Sequence, residues 1–309
     1  MTAERHVDVL VVGAGPAGLA AAARLALAGA GRVEVLEREP EAGGVPRYCA
    51  HGGFGTWTRP LTGPAYARLL VEAAARAGAV VRTGVTVLDW AGPLALATVG
   101  VRGPETVTAR AVVLATGAYE RPRAARLVPG TRPAGICTGG ELLQAVHRYR
   151  QPIGERAVVI GAEEVSYAAA RTVRAAGAEV VAMVTGLPRA GSVRALDARL
   201  RARIPLLTGT AVTEILGHGR LSGVRIRHRD GRTGVLACDT AVFTGDFAAE
   251  DELARRGRIA LSDGPAPYTG RPGVFAAGGL RQPGLDVRAA VREGVEAGGA
   301  VLEWLVSRP

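Results

Sequence analysis

The sequence reads as an α/β protein with two β-α-β units, on three observations. A buried apolar run, V-D-V-L-V-V (7–12), enters the glycine turn G-A-G-P-A-G (13–18), followed by a helical stretch from Pro16 to about Gly29 and a second strand, V-E-V-L-E (33–37). The pattern returns imperfectly in A-V-V-I-G-A-E-E-V-S-Y-A-A-A-R-T-V (157–173) and E-V-V-A-M-V (179–184). The length, 309 residues, suits about two domains at roughly 150 each.

In the first unit each residue type has a physical task. Gly13 permits the tight turn, Gly15 lets a pyrophosphate approach the backbone, and Gly18 lets the helix pack closely on the strand, with the helix start facing the phosphates. Glu37, nineteen residues after Gly18, ends the second strand where a carboxylate accepts both ribose hydroxyls. A membrane span is not built this way. Asp8, Gly13, Gly15, Pro16 and Gly18 interrupt the apolar stretch from Val7 to Gly31, and Arg24 divides what remains.

Composition narrows the function further. All 38 Lys-plus-Arg residues are Arg, the chain has neither Lys nor Asn, and against 28 acids the formal charge is +10. Without Lys there is no Schiff base, pyridoxal linkage or Walker-type phosphate lysine, and without Asn no N-glycosylation site. Nucleic acid is not an expected partner: aromatics make up 4% of the chain and the arginines are dispersed between alanines instead of forming a tract. Cys49, Cys137 and Cys238, odd in number and widely spaced, form neither a disulfide framework nor a metal cluster, so no metal site is expected and the expected compartment is the cytoplasm. R-I-R-H-R (225–229) reads as an exposed strand, with Asp230-Gly231 as a hairpin turn.

E-A-G-G (41–44) directly after the acid, A-T-G-A-Y-E-R-P (115–122) after a strand, and P-G-V-F-A-A-G-G (272–279) together resemble the FAD signature of two-dinucleotide-domain flavoproteins, the thioredoxin reductase and glutathione reductase group. The resemblance implies a Rossmann-like, three-layer ββα FAD domain over 1–120 and 245–309, with a second such domain, 121–244, inserted in it. It carries FAD contacts onto Gly13, Gly15, Pro16, Ala17, Gly18, Glu37, Arg38, Gly43, Gly44, Val45, Val87, Ala115, Thr116, Gly117, Gly278, Gly279 and Val287. Gly43 and Gly44 would lie along the pyrophosphate and ribityl chain, and Val87 would meet the adenine through its backbone. The last helix, from Val287, would aim its positive end at the flavin pyrimidine ring. Its Gly294, Gly298 and Gly299 are expected to permit close packing, and Trp304 to be core. One position departs from the family: Gly279 stands where an Asp usually holds a ribityl hydroxyl, which leaves that chain to backbone groups or a neighbour.

By the same resemblance the inserted unit is the NAD(P)H domain, whose turn should again read G-x-G-x-x-G. It reads Gly161, Ala162, Glu163, Glu164, Val165, Ser166, and Glu163 stands where backbone must approach a pyrophosphate. At about 4 Å and a surface-like dielectric such repulsion is worth on the order of a few kcal/mol. The next strand ends in Val184-Thr185, with neither an acid for a ribose nor an Arg pair for a 2′-phosphate. A retained fold with a lost nicotinamide site is expected, so FAD is the expected cofactor and NAD(P)H is in doubt.

The disulfide-reductase branch carries C-x-x-C or C-x-x-x-x-C beside the flavin, and neither Cys49 nor Cys137 has such a partner. G-G-V-P-R-Y-C-A-H-G-G-F-G (43–55), L-T-G-P-A-Y-A (61–67), T-G-A-Y-E-R-P-R (116–123), R-P-A-G-I-C-T-G-G (132–140) and I-P-L-L-T-G-T (204–210) are similar to a dithiol-lacking subgroup. It includes flavoprotein subunits of heteromeric amino-acid, opine and sarcosine oxidising enzymes and of hydrogen cyanide synthase. This implies an FAD-dependent oxidoreductase, one subunit of an oligomeric dehydrogenase or oxidase acting on an amine, amino acid or related small metabolite, beside a second flavoprotein or iron-sulfur subunit. Those relatives frequently carry a cysteine-rich extension, and with no such cysteines in the sequence up to Pro309 an iron-sulfur centre is expected on a partner. Cys49 and His51, in a segment expected to border the flavin, are the catalytic candidates, as redox thiol or proton carrier. The alternative is a small buried Cys and a His satisfied by backbone. Two other readings of the chain stay open: an NAD(P)H-dependent flavin reductase passing electrons to a partner, and a non-catalytic subunit that holds FAD for assembly.

Overall fold

The computed structural model describes residues 3–56, 58–189, 204–261 and 266–307. The chain forms two compact units, Met1–Tyr119 with Ala248–Pro309, and Glu120–Phe247. The first unit opens with β1 (Ala3–Val12), α1 (Pro16–Leu27) and β2 (Val33–Leu36). It continues through β3 (Gly52–Gly55), β4 (Pro60–Thr62), α2 (Gly63–Arg76), β5 (Val80–Arg82), β6 (Thr86–Gly92), β7 (Ala95–Gly100) and β8 (Gly103–Leu114). The end of β1, Val9–Val12, is wholly apolar because both its faces are covered: Val9 and Val11 pack with Leu19 and Leu25 of α1, Leu10 and Val12 with Leu96 and Val107 of β7 and β8. α1 ends two residues before the expected Gly29. Gly29, at φ +74, instead closes the helix from outside, its N–H donating to Ala26 O while that of Ala30 donates to Leu25 O.

β9 (Ala118–Glu120) leads into the second unit, which repeats the plan with β10 (Ile136–Thr138), α3 (Gly139–Leu143), β11 (Arg156–Ile160), α4 (Glu164–Ala175) and β12 (Glu179–Val184). β13 (Leu206–Leu207), β14 (Thr210–His218), β15 (Arg220–His228), β16 (Thr233–Ala237) and β17 (Thr240–Phe243) complete it. Its parallel sheet runs β10-β17-β11-β12-β13, and β14-β15-β16 form an antiparallel sheet. Arg225 and Arg227 are exposed on β15, which turns through Asp230-Gly231 into β16.

β18 (Phe247–Ala249) leads back to α5 (Glu252–Arg256), β19 (Val274–Ala276) and α6 (Val287–Ser307). β19 adds in parallel to β8, giving a seven-stranded sheet along β5-β2-β1-β8-β7-β6 in which β6, β7 and β8 are antiparallel. α6 lies so close to α1 that a Cβ on Gly294 would come within 2.1 Å of Ala17 O, and one on Gly298 within 3.0 Å of Arg24 Cγ. Gly299 would meet nothing within 4 Å, so it takes no part in the close packing expected of all three glycines. Trp304 is half-buried instead of fully core, edge-on to Phe275, with Nε1 donating to Arg110 O at 3.2 Å. Among the described residues no helix is long and apolar enough to cross a membrane.

Candidate functional site

The first unit brings three glycine loops to one helix start. α1 begins at Pro16 with Gly15 as its N-cap, no side chain caps it, and its first turn holds no acid. A Cβ on Gly15 would meet nothing within 4 Å. Elsewhere the turn is tight. Gly13 sits at φ +103, where a Cβ would lie 2.4 Å from Ala115 O, and a Cβ on Gly18 would lie 1.9 Å from Gly13 O. The second loop docks through Gly43 N donating to Ala14 O at 2.8 Å, and a Cβ on Gly44 would come within 2.8 Å of Gly15 Cα. The third arrives at Gly278, whose added Cβ would be 2.7 Å from Ala17 Cβ. Uncapped amides at the positive end of a helix, with open space above them, make a seat for an anion such as a diphosphate.

Glu37 is buried just past β2. Its Oε2 accepts from Ala14 N and its Oε1 from Glu39 N, both at 2.9 Å, which leaves each oxygen capacity for a ribose hydroxyl. Arg38 and Val45 are exposed, and Val87 is half-buried on β6 opposite Thr98. Thr116 Oγ1 donates to Glu250 O at 2.7 Å, and Gly117 O accepts from Glu250 N at 2.9 Å. At Gly279 a Cβ would meet Ala118 N at 3.2 Å and Ala118 Cβ at 3.3 Å, so the backbone of the 117–118 turn crowds the place of the family's Asp. Sequence reasoning missed the acid that works beside it. Glu293, buried on α6, accepts from Gly278 N at 2.8 Å and pairs with the buried Arg281 at 3.4 Å.

The start of α6 carries an acidic cap. Asp286 Oδ1 accepts from Arg288 N at 2.8 Å and Ala289 N at 2.9 Å, so its carboxylate offsets the dipole beside the half-buried Val287. Cys49 is buried with Sγ 3.6 Å from Val45 O, and burial pushes its thiol up to about 11. At neutral pH that leaves a thiolate fraction on the order of one in ten thousand, which argues against a redox role. Cys137, up to about 12, and Cys238, up to about 11, are likewise raised by burial, and all three thiols are free. Cys49→Ser is therefore expected to keep the wild-type visible spectrum and turnover, whereas a tenfold loss of either would restore the thiol to the chemistry.

His51 is partly accessible, its Nδ1 2.7 Å from Gly52 O. Its ring stacks on Phe54 at 5.6 Å, and Phe54 meets Tyr66 at 5.8 Å. Arg288 Nη2 donates to Gly55 O at 2.6 Å, which fixes a guanidinium on the loop that carries this strip. Phe54 and Tyr66 lie inside two of the subgroup's motifs without a role assigned to either, and Arg288 lies outside them.

The matching turn of the second unit is built differently. Glu163 is the N-cap of α4 with φ −81 and ψ 172, nearly the conformation of Gly15, φ −80 and ψ −177. Its Oε2 accepts from Ala162 N at 3.0 Å and from the Ser166 hydroxyl at 2.9 Å, while Ser166 Oγ accepts from Glu163 N at 3.1 Å. A Cβ on Gly161 would be 2.7 Å from Glu163 Oε2, and one on Gly245 2.7 Å from its Cδ. Glu120, whose carboxyl burial holds above the ordinary range, accepts from Gly140 N at 2.7 Å and Gly245 N at 3.0 Å. Among the described residues no group of three or more His, Cys, Asp or Glu side chains is placed to hold a metal ion.

Similar proteins agree with this geometry. Thioredoxin reductase from Mycolicibacterium smegmatis is 30% identical over 295 residues, 90% of this chain and 90% of that protein. Sarcosine oxidase subunit alpha from Rhizobium meliloti (strain 1021) is 29% identical over 262 residues, 78% of this chain but 24% of that subunit, so the chain spans about a quarter of its length. The crystal structure of T. acidophilum thioredoxin reductase matches with a TM-score of 0.80 at 22% identity, over 99% of this chain and 100% of that one. The fold is the two-dinucleotide-domain fold of thioredoxin reductase. A family model described as pyridine nucleotide-disulphide oxidoreductase matches residues 7–294, and the chain belongs to that family.

Proposed function

We propose that the chain is an FAD-dependent oxidoreductase without a redox dithiol, working as one subunit of a heteromeric dehydrogenase or oxidase on a secondary amine, amino acid or related small metabolite. The observation that carries the reading is the uncapped start of α1, ringed by three glycine loops, in a chain whose three cysteines are all free, with Cys49 and Cys238 buried. The seat fits a dinucleotide: the helix amides suit its pyrophosphate, Glu37 suits a ribose, and Glu293 holds the Gly278 amide beside the crowded Gly279. When bound, FAD supplies a hydride-accepting ring; the protein supplies orientation and electrostatics. The strip of His51, Phe54 and Tyr66, with Arg288 tied to Gly55, offers a cation and an aromatic wall for a small amino-acid-like substrate.

The kinship with sarcosine oxidase subunit alpha supports a partner subunit, which would accept the electrons or perform the companion oxidation. The reading is tested on the purified holoprotein under anaerobic conditions. Bound FAD and no bleaching of its visible band by NADH or NADPH are expected, with bleaching by sarcosine once the partner is present. Bleaching by either nicotinamide within seconds would overturn it in favour of a flavin reductase.

A further inference from the structure

The two β-α-β turns of this chain share one backbone conformation at their third residue and differ in what stands there. Above Gly15 there is open space; Glu163 instead carries a side chain whose carboxylate folds back onto Ala162 N and the Ser166 hydroxyl of its own turn. We infer that the Glu163 carboxylate is an internal stand-in for the phosphate, and that this one residue sets the chain's discrimination against NAD(P)H. The inference rests on the function proposed above and names the residue that enforces its independence from nicotinamide.

The hydrogen bonds show how the substitution works. In the first unit the amide of the second turn residue, Ala14, is taken by Glu37, an acid that lies outside the turn at the end of β2 and leaves the helix start clear. In the second unit β12 is followed by Thr185, which has no carboxylate to offer, and the corresponding amide, Ala162 N, is taken by Glu163 from inside the turn. The loop is ordered in both cases, but in the second the ordering group is a charged side chain of the turn itself. Ser166, fully buried where the motif calls for its last glycine, donates to Glu163 Oε2 and so anchors the carboxylate. Gly161 and Gly245 close around it so tightly that neither could carry a Cβ. An entering diphosphate must displace a charge already hydrogen-bonded in the seat, and it faces a second carboxyl in Glu120, itself held by Gly140 N and Gly245 N.

The test uses binding, not turnover. ADP-ribose and NADH are titrated calorimetrically into FAD-loaded wild type, Glu163→Gly and Glu163→Ser. Gly restores the motif's second glycine; Ser keeps a capping oxygen without the charge, so that helix α4 is not lost with the carboxylate. Wild type is expected to show no binding up to millimolar ligand. Both variants should gain at least about tenfold, which is about 1.4 kcal/mol, and their melting temperatures should rise with ADP-ribose while that of wild type stays put. Two folded variants that bind no better than wild type overturn the inference and leave the proposed function standing. Micromolar NADH binding to wild type without flavin reduction also overturns the inference alone, whereas binding with rapid reduction overturns both.

Discussion

Gly15→Glu is expected to strip the protein of its flavin without unfolding it. The backbone at Gly15 already has the dihedral angles of Glu163, and a Cβ there meets nothing within 4 Å, so a Glu enters without steric cost. Replacing a glycine at such a permissive position lowers the entropy of the unfolded chain and stabilises by a few tenths to about 1 kcal/mol. The carboxylate then stands at the helix start where the pyrophosphate is proposed to sit. At an effective dielectric near that of a protein surface, the repulsion is on the order of 3 kcal/mol, or about a hundredfold in FAD affinity. The ratio of flavin to protein absorbance after purification, and FAD titration of the apoprotein, read the loss; calorimetry of the two apoproteins should show the variant unfolding no earlier than wild type. Gly15→Gln separates charge from bulk and should lose less. A Gly15→Glu protein that retains a full complement of FAD would remove the helix start of α1 from the cofactor site.

Glu34→Gln is expected to lower the melting temperature by about 10 °C, through the loss of about 3–5 kcal/mol. Glu34 is 0% exposed on β2 and takes Arg32 at 2.6 Å, Arg5 at 3.4 Å and Arg82 at 3.4 Å; Arg5 and Arg82 each also reach Glu105 at 2.7 Å. The network ties β1, β2, β5 and β8 together at one end of the sheet, and Gln would leave its guanidinium groups facing each other without the buried negative charge. β2 delivers Glu37 to the cradle, so a weaker FAD affinity should accompany the lower stability. A shift below about 1 °C would show that the buried charge contributes nothing net.

The same network gives an acid limit. Burial pushes the Glu105 carboxyl upward, but hydrogen bonds from Arg5 and Arg82 outweigh it and hold its pKa below the ordinary value. A carboxyl depressed in the folded state contributes its full stability above the unfolded pKa, about 4.3, and loses it as pH falls through the lower folded value. The melting temperature of wild type should therefore fall on acidification below about pH 4, and Glu105→Gln should flatten that part of the profile.

The legibility of each part of the molecule follows from how far apart its partners lie in the chain. The turn of 13–18 is local: its tasks are set by residues within one strand, one turn and one helix, and its glycines stand where the backbone crowds or opens as the motif requires. The Arg5, Glu34, Arg82 and Glu105 network joins four strands, and each member alone looks like a charge on a solvated strand end. Glu293 lies on a helix whose acids and arginines alternate with alanines and glycines, so periodicity does not separate it from an exposed neighbour such as Glu296. The cap on α6 is local, since Asp286 stands three residues before Ala289.

The two β-α-β units, the intact glycine turn, the broken second one and the lack of a C-x-x-C are legible along the chain, because each is a matter of spacing along a few residues. Folding decided which carboxylate satisfies which turn: Glu37 from outside the first, Glu163 from within the second. It also decided that Cys49 is a buried, protonated thiol while His51 stays partly accessible two residues later. Both decisions turn on desolvation and on hydrogen-bond partners brought from distant segments. Those energies depend on three-dimensional surroundings that no local pattern encodes.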